Sequence, residues 1–185
     1  SSNSDLDGDG EREVIFISNQ KIHMLEGHSG KLLRTRTLPR DMDALSLQFG
    51  DYLGTDRDNC ILVSDNVSRL ILLDEKLQLI WEREMEGGTL PLVYDMDGDG
   101  KDEVLAGYSV FDHEGNLLLN SGEFIGDQCN GVIVSELFEG EESTPCLIYA
   151  AGDWGVMYVD YEGQVLKQNI VGHVKYLSVA DFDTE

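Results

Sequence analysis

Positive charge is scarce in this chain. Lys and Arg number 13 against 36 Asp and Glu, a formal net charge of −23 over 185 residues. A field of that sign repels nucleic acid and anionic lipid, so neither is an expected partner. No apolar stretch approaches the ~20 residues that a membrane-spanning helix needs, which argues against membrane insertion. No secretion signal is visible, and the chain begins Ser-Ser-Asn-Ser without Met, as a processed or trimmed product would. Cysteine is limited to Cys60, Cys129 and Cys146, an odd count without metal-type spacing. At most one disulfide is available, and the three read as small buried apolar residues. His23, His28, His113 and His173 are scattered and give no zinc pattern. There is no nucleophile elbow, no phosphate-binding glycine loop and no Ser/His/Asp set. No segment carries a long helical period, so the chain is expected to be all-β.

What is present is one acidic loop in two copies. The first runs Asp5-Leu6-Asp7-Gly8-Asp9-Gly10-Glu11-Arg12-Glu13-Val14, the second Asp95-Met96-Asp97-Gly98-Asp99-Gly100-Lys101-Asp102-Glu103-Val104. Carboxylates at positions 1, 3 and 5, a glycine at 6 and a further carboxylate at 9 wrap a hard cation in oxygen. The metal ligands read from this spacing are Asp5, Asp7, Asp9 and Glu13, and Asp95, Asp97, Asp99 and Glu103. Glu11 and Lys101, at position 7, would contribute main-chain carbonyls. Position 12, where an EF-hand places a bidentate Glu, is Phe16 or Ala106, and neither can bind. An apolar run follows each loop at once, so the expectation is two Ca2+ sites feeding strands rather than helices. Magnesium is disfavoured, because it takes few protein ligands and keeps its waters. A solvated acidic turn is the plain alternative for a single copy.

Beneath the loops lies a repeat. An apolar pair, an acidic residue, a short turn and a second apolar run recur around Glu26, Asp74, Asp112 and Asp160. Each such unit reads as a hairpin. Apolar strands leading to an acidic end recur before Asp51, Asp95, Glu136 and Asp181. Together these markers define a unit of about 45 residues with four short strands, the content of a propeller blade. The expected blades are 1–43, 44–88, 89–130 and 131–175, with a final inner strand over 176–185, all in one domain. That last strand would either close a four-bladed ring on the first blade or belong to a longer propeller of seven or eight blades, of which this chain is a piece. In units two and four the loop has decayed, to Asp51-Tyr52-Leu53-Gly54-Thr55-Asp56 and Glu136-Leu137-Phe138-Glu139-Gly140-Glu141. Cys60 and Cys146 then stand where the other units have Glu13 and Glu103, as if a ligand had been exchanged for a small apolar residue.

The loop followed by a blade hairpin resembles the FG-GAP or VCBS-type propeller repeat of integrin-like heads and bacterial surface proteins. The third unit resembles a narrower group, the eight-bladed rhamnogalacturonan lyases. The matching residues are the loop 95–104, then Gly107-Tyr108-Ser109-Val110-Phe111-Asp112-His113-Glu114-Gly115, Ser121-Gly122, Gly126-Asp127 and Val134-Ser135-Glu136-Leu137. The general likeness covers nearly the whole chain, and the lyase likeness mostly 95–137. The lyases carry His beside the Gly-Asp pair and soon after it. Here the run is Ile125-Gly126-Asp127-Gln128-Cys129-Asn130, without the imidazole that proton abstraction would use. The resemblance implies a polysaccharide-related propeller more than an active enzyme.

Three further residues are candidate ligand contacts. Trp154, in the glycine-rich turn Ala151-Gly152-Asp153-Trp154-Gly155, could stack on a sugar ring or fold back over the blade edge. Asp127 and Asn130 could reach a polar site near the axis or serve as turn residues. Trp81 is expected to pack between blades. The combined expectation is a calcium-stabilised β-propeller, secreted or on the cell surface, that binds an extracellular polysaccharide or another cell-surface ligand. A lyase-like enzyme and an integrin-like protein-binding adhesion module are the alternatives.

Overall fold

The computed structural model describes residues 5–65, 67–85, 90–135 and 145–180. Every extended element is antiparallel to its neighbours, and the strands fall into four successive sheets. The first sheet holds β1 (Glu13–Ser18), β2 (Lys21–Glu26) and β3 (Leu32–Thr37). The second holds β4 (Ser46–Gly50), β5 (Cys60–Ser64), β6 (Arg69–Asp74) and β7 (Leu79–Glu84). The third holds β8 (Leu92–Tyr94), β9 (Glu103–Ala106), β10 (Ser109–Phe111) and β11 (Leu117–Asn120). The fourth holds β12 (Val132–Ser135), β13 (Cys146–Ala150), β14 (Val156–Val159) and β15 (Val165–Asn169). A single 3-10 turn, Ser121–Phe124, is the helical content among the described residues.

Each sheet is a meander in chain order, and the sheets stack face to face. Three cores lie between consecutive sheets. Ile22 and Met24 of the first meet Ile61, Val63, Ile71 and Leu73 of the second. Leu62, Leu70, Leu72 and Trp81 of the second meet Val104, Ala106 and Phe111 of the third. Leu105, Tyr108 and Val110 of the third meet Leu147, Tyr149, Met157 and Val159 of the fourth. The middle strands explain their own sequences. β5 and β9 are buried along their whole length, because a neighbouring sheet covers both faces, and their apolar runs Ile61–Val63 and Val104–Ala106 are continuous. β2 has a single covered face and alternates instead. The leading strands β4, β8 and β12 touch in succession. The result is an all-β stack of four antiparallel meanders, an arrangement compatible with propeller blades.

The hairpin closing each of the last three sheets is the same object. The side chain of Asp74 accepts the N–H groups of Lys76 (2.9 Å) and Gln78 (2.6 Å). Asp112 does this for Glu114 (2.9 Å) and Asn116 (2.7 Å), and Asp160 for Glu162 (3.1 Å) and Gln164 (2.7 Å). The left-handed position of the turn is Gly30, Gly115 or Gly163 in three sheets, but Leu77 in the second, at φ 60°. Leu77 is 3 % exposed and sits in the core between the first two sheets. The burial holds a leucine where glycine is otherwise favoured.

Cys60, Cys129 and Cys146 are free and buried. Burial pushes the Cys60 thiol up to about 12, which makes it inert as a nucleophile. Trp81 packs between the second and third blades and donates to the His113 carbonyl at 3.1 Å. The fourth unit's decayed loop, residues 136–141, lies outside the described residues, as do 181–185. The expected inner strand over 176–185 does not form in its described part. Residues 176–180 are mostly exposed and belong to no ladder. A strand needs a paired neighbour, and Val174, bridged to Gly152, is the last described residue that has one.

Candidate functional site

The acidic loops precede β1, join β4 to β5 and join β8 to β9. All three use one backbone path, with positive φ at positions 4 and 6: Gly8 and Gly10, Gly54 and Asp56, Gly98 and Gly100. That path turns main-chain N–H groups inward onto the first aspartate. Asp5 accepts from Gly8 (2.7 Å) and Gly10 (2.8 Å). Asp95 accepts from Gly98 (2.8 Å) and Gly100 (3.1 Å). The ninth residue closes the loop: Glu13 accepts the Leu6 N–H and Glu103 the Met96 N–H, both at 2.8 Å.

With the loop closed, the carboxylates converge. Asp5, Asp7, Asp9 and Glu13 each offer a ligand oxygen within 4.8 Å of the others, and Asp95, Asp97 and Asp99 do the same. Glu103 stands apart from that trio. It is 2 % exposed, and its carboxyl is pushed up to about 7, first by burial and then by the charges of Asp97, Asp99 and Asp95, against the Met96 hydrogen bond. Glu13 is raised as well, chiefly by burial. Charge crowding of this kind is what a divalent cation relieves. The donor set is all oxygen and fits a hard cation such as calcium. Glu11 and Lys101 donate main-chain N–H groups to Asp9 and Asp99, each at 2.8 Å. The Lys101 ammonium contacts the His113 Nε2 (3.1 Å).

The second-blade loop is built differently, and Asn59 is the residue that sequence reasoning missed. By ladder register Cys60 does stand where Glu13 stands, since Cys60 pairs with Asp74 as Glu13 pairs with Glu26, and the Phe111–Val104 pair sets Glu103 and Asp112 one step beyond the same ladder. Counted from Asp51, however, Asn59 is ninth. Its Oδ1 accepts the Tyr52 N–H at 3.1 Å, the bond that Glu13 and Glu103 make in their own loops. Counting nine from the first aspartate would have found it. The loops are also tied together. The Arg57 guanidinium donates to the carbonyls of Asp5 (3.1 Å) and Leu6 (2.8 Å). Asp102 donates its N–H to the Asp51 carbonyl (2.8 Å) and accepts the Asp51 N–H on its side chain (2.6 Å).

A second cluster gathers around Asp127. It combines Asp127, before β12, with Asp153, in the β13–β14 turn, and His173, beyond β15. Asp127 accepts from Asp153 N (2.6 Å) and Gln128 N (2.7 Å), and these bonds hold its carboxyl below the usual range. His173 Nδ1 lies 2.8 Å from Asp153 Oδ1. The Gly152–Val174 bridge and the bond from Asn130 Nδ2 to the Val174 carbonyl (2.9 Å) bring this histidine in. Asn130 therefore serves to anchor the segment. Trp154 is 40 % exposed in the same turn as Asp153, and its carbonyl accepts from Gln168. Beside the cluster runs a groove of about 500 Å³ lined by Asn130, His173, Lys175 and Tyr176, among others. Neither Asp153 nor His173 belongs to a local motif, so no sequence signal marked them.

No family model and no curated sequence matches the chain. Solved structures do. The rhamnogalacturonan lyase YesW is similar at 18 % identity and a TM-score of 0.66, over 83 % of this chain and 31 % of that one. The exotype rhamnogalacturonan lyase YesX is similar at 20 % identity and a TM-score of 0.66, over 86 % of this chain and 31 % of that one. The V. cholerae biofilm matrix protein Bap1 is similar at 19 % identity and a TM-score of 0.63, over 90 % and 27 %. The chain spans less than a third of the length of each of these proteins. No helix among the described residues is long and apolar enough to cross a membrane. The shared property is the fold: the stacked antiparallel sheets of this chain are matched by part of each of those structures.

Proposed function

We propose that the chain is a calcium-stabilised propeller segment that works outside the cell, secreted or surface-held, and binds polysaccharide. The observation that carries the metal is the convergence of Asp5, Asp7, Asp9 and Glu13 within 4.8 Å, echoed by Asp95, Asp97 and Asp99. Seven carboxylates in two loops of a chain at net charge −23 favour the open, unfolded state unless a cation joins them. Bound calcium neutralises each cluster and fixes the path of the loop into β1 or β9. The polysaccharide half rests on the fold shared with two lyases and a matrix protein, and on Trp154 and Tyr176 exposed near the groove. Aromatic rings of that kind stack on sugar faces.

The test is thermal melting with calcium and with chelator. At a Kd of about 10 μM, millimolar calcium adds about 2.7 kcal/mol, and Asp7→Ala with Asp97→Ala removes the response. An unchanged melt in chelator sinks the metal reading. A glycan array, run beside a protein pull-down, separates polysaccharide binding from an integrin-like adhesion role.

One observation favours a second reading. The imidazole missing beside Gly126-Asp127 is supplied in space by His173, oriented by Asp153. A histidine held through Nδ1 presents Nε2 as a base, the group that β-elimination from a uronate requires. Incubation of a pectic backbone with the chain and calcium, followed through unsaturated sugar ends, checks this. Product lost in His173→Ala supports a lyase-like activity, and no product from the native chain removes it.

A further inference from the structure

We infer that Asn59 takes the place of a cation in the second-blade loop, and that its amide keeps this loop metal-free even when carboxylates are restored at positions 3 and 5. The inference about metal selection rests on the calcium reading above. The clamp itself does not. The loop keeps the backbone path of its neighbours, with positive φ at Gly54 and Asp56, and keeps the first aspartate. Asp51 still gathers inward N–H groups, from Thr55 (2.6 Å), Leu53 (3.2 Å) and Arg57 (3.3 Å). The interior donors are what differ. Position 3 is Leu53, 56 % exposed and without an oxygen, and position 5 is Thr55. Into the space between Asp51 and Thr55 comes the Asn59 amide, itself 2 % exposed. Its Nδ2 donates to Asp51 Oδ1 and, at 2.9 Å, to Thr55 Oγ1. Its Oδ1 meanwhile accepts the Tyr52 N–H at 3.1 Å.

One side chain thus does two jobs. Its carbonyl end repeats the loop closure that Glu13 and Glu103 perform, and its NH2 end supplies the positive dipole that an ion supplies elsewhere. Two donors on one nitrogen match two acceptors, so no amide hydrogen is left over. A carboxylate at this position would face Asp51 with no donor between them and would call for a cation.

The experiment compares metal bound per folded chain, by equilibrium dialysis against calcium, with melting in chelator. Asn59→Ala should lower the melting temperature by about 4–8 °C in chelator and in calcium alike, because two or three buried hydrogen bonds are lost. A variant with Leu53→Asp and Thr55→Asp but Asn59 intact should bind as many ions as the native chain. Adding Asn59→Glu to that pair should bind one ion more. A wild-type melt for Asn59→Ala overturns the clamp. An extra ion in the variant that retains Asn59, or none when Asn59→Glu is added, overturns its role in metal selection. If the native chain binds no calcium, the calcium reading fails, and the melt of Asn59→Ala in chelator still decides the clamp.

Discussion

Leu77 and Glu103 show how single residues settle competing local demands. Leu77 bears a left-handed backbone that costs roughly 1–2 kcal/mol for a side-chain-bearing residue, and recovers more by burial in the core. Leu77→Ala keeps the backbone cost and loses the packing, so it should destabilise by about 2–4 kcal/mol in chemical denaturation. Leu77→Gly should be milder by about 1 kcal/mol, although it removes more of the side chain. The reverse order would show that the backbone cost is absent. Glu103 is buried beside three aspartates. Glu103→Gln keeps an acceptor for the Met96 N–H and removes a buried charge. In chelator it should be about 1 kcal/mol more stable than the native protein, with a smaller gain from calcium, both read from paired melts. The carboxylate positions were legible because a cation loop is a local pattern, ligands at fixed steps along one short segment. Asn59 was hidden because strand register points to Cys60 while loop count points one residue earlier. His173 was hidden because the Gly152–Val174 bridge, a tertiary contact, delivers it.

At the scale of the element, the blade hairpin is the most regular unit in the chain. The same aspartate accepts the same two N–H groups in three sheets, and a register shift follows in each partner strand. Asp112→Ala leaves those N–H groups to water and should cost about 1 kcal/mol in denaturant unfolding, with the fold intact. A loss above about 3 kcal/mol would mean that the turn carries tertiary load as well. This element was readable from sequence, since an acidic residue, a short turn and flanking apolar runs are near neighbours. The inner strand expected over 176–185 was readable only as a pattern. Its residues are mostly apolar, yet pairing depends on a neighbour that sequence pattern does not supply.

Across the whole molecule, three apolar cores between four sheets oppose a net charge of −23. Self-repulsion on that scale is screened by ordinary salt. In chelator, raising sodium chloride from about 10 mM to about 150 mM should therefore raise the melting temperature, with a smaller gain once calcium is present. A melt indifferent to salt would place the acidic surface outside the stability balance. The all-β architecture followed from composition and repeat length, whereas the order of packing did not. That order comes from which strand faces are covered, as β5 and β9 show by being buried on both.

Arg57 and Asp102 each cross from one blade's loop to the next through main-chain atoms. A mechanical pull on the first blade is therefore shared along a laced rim instead of peeling one sheet free. Unzipping from that side would have to break the lacing before any apolar face met water.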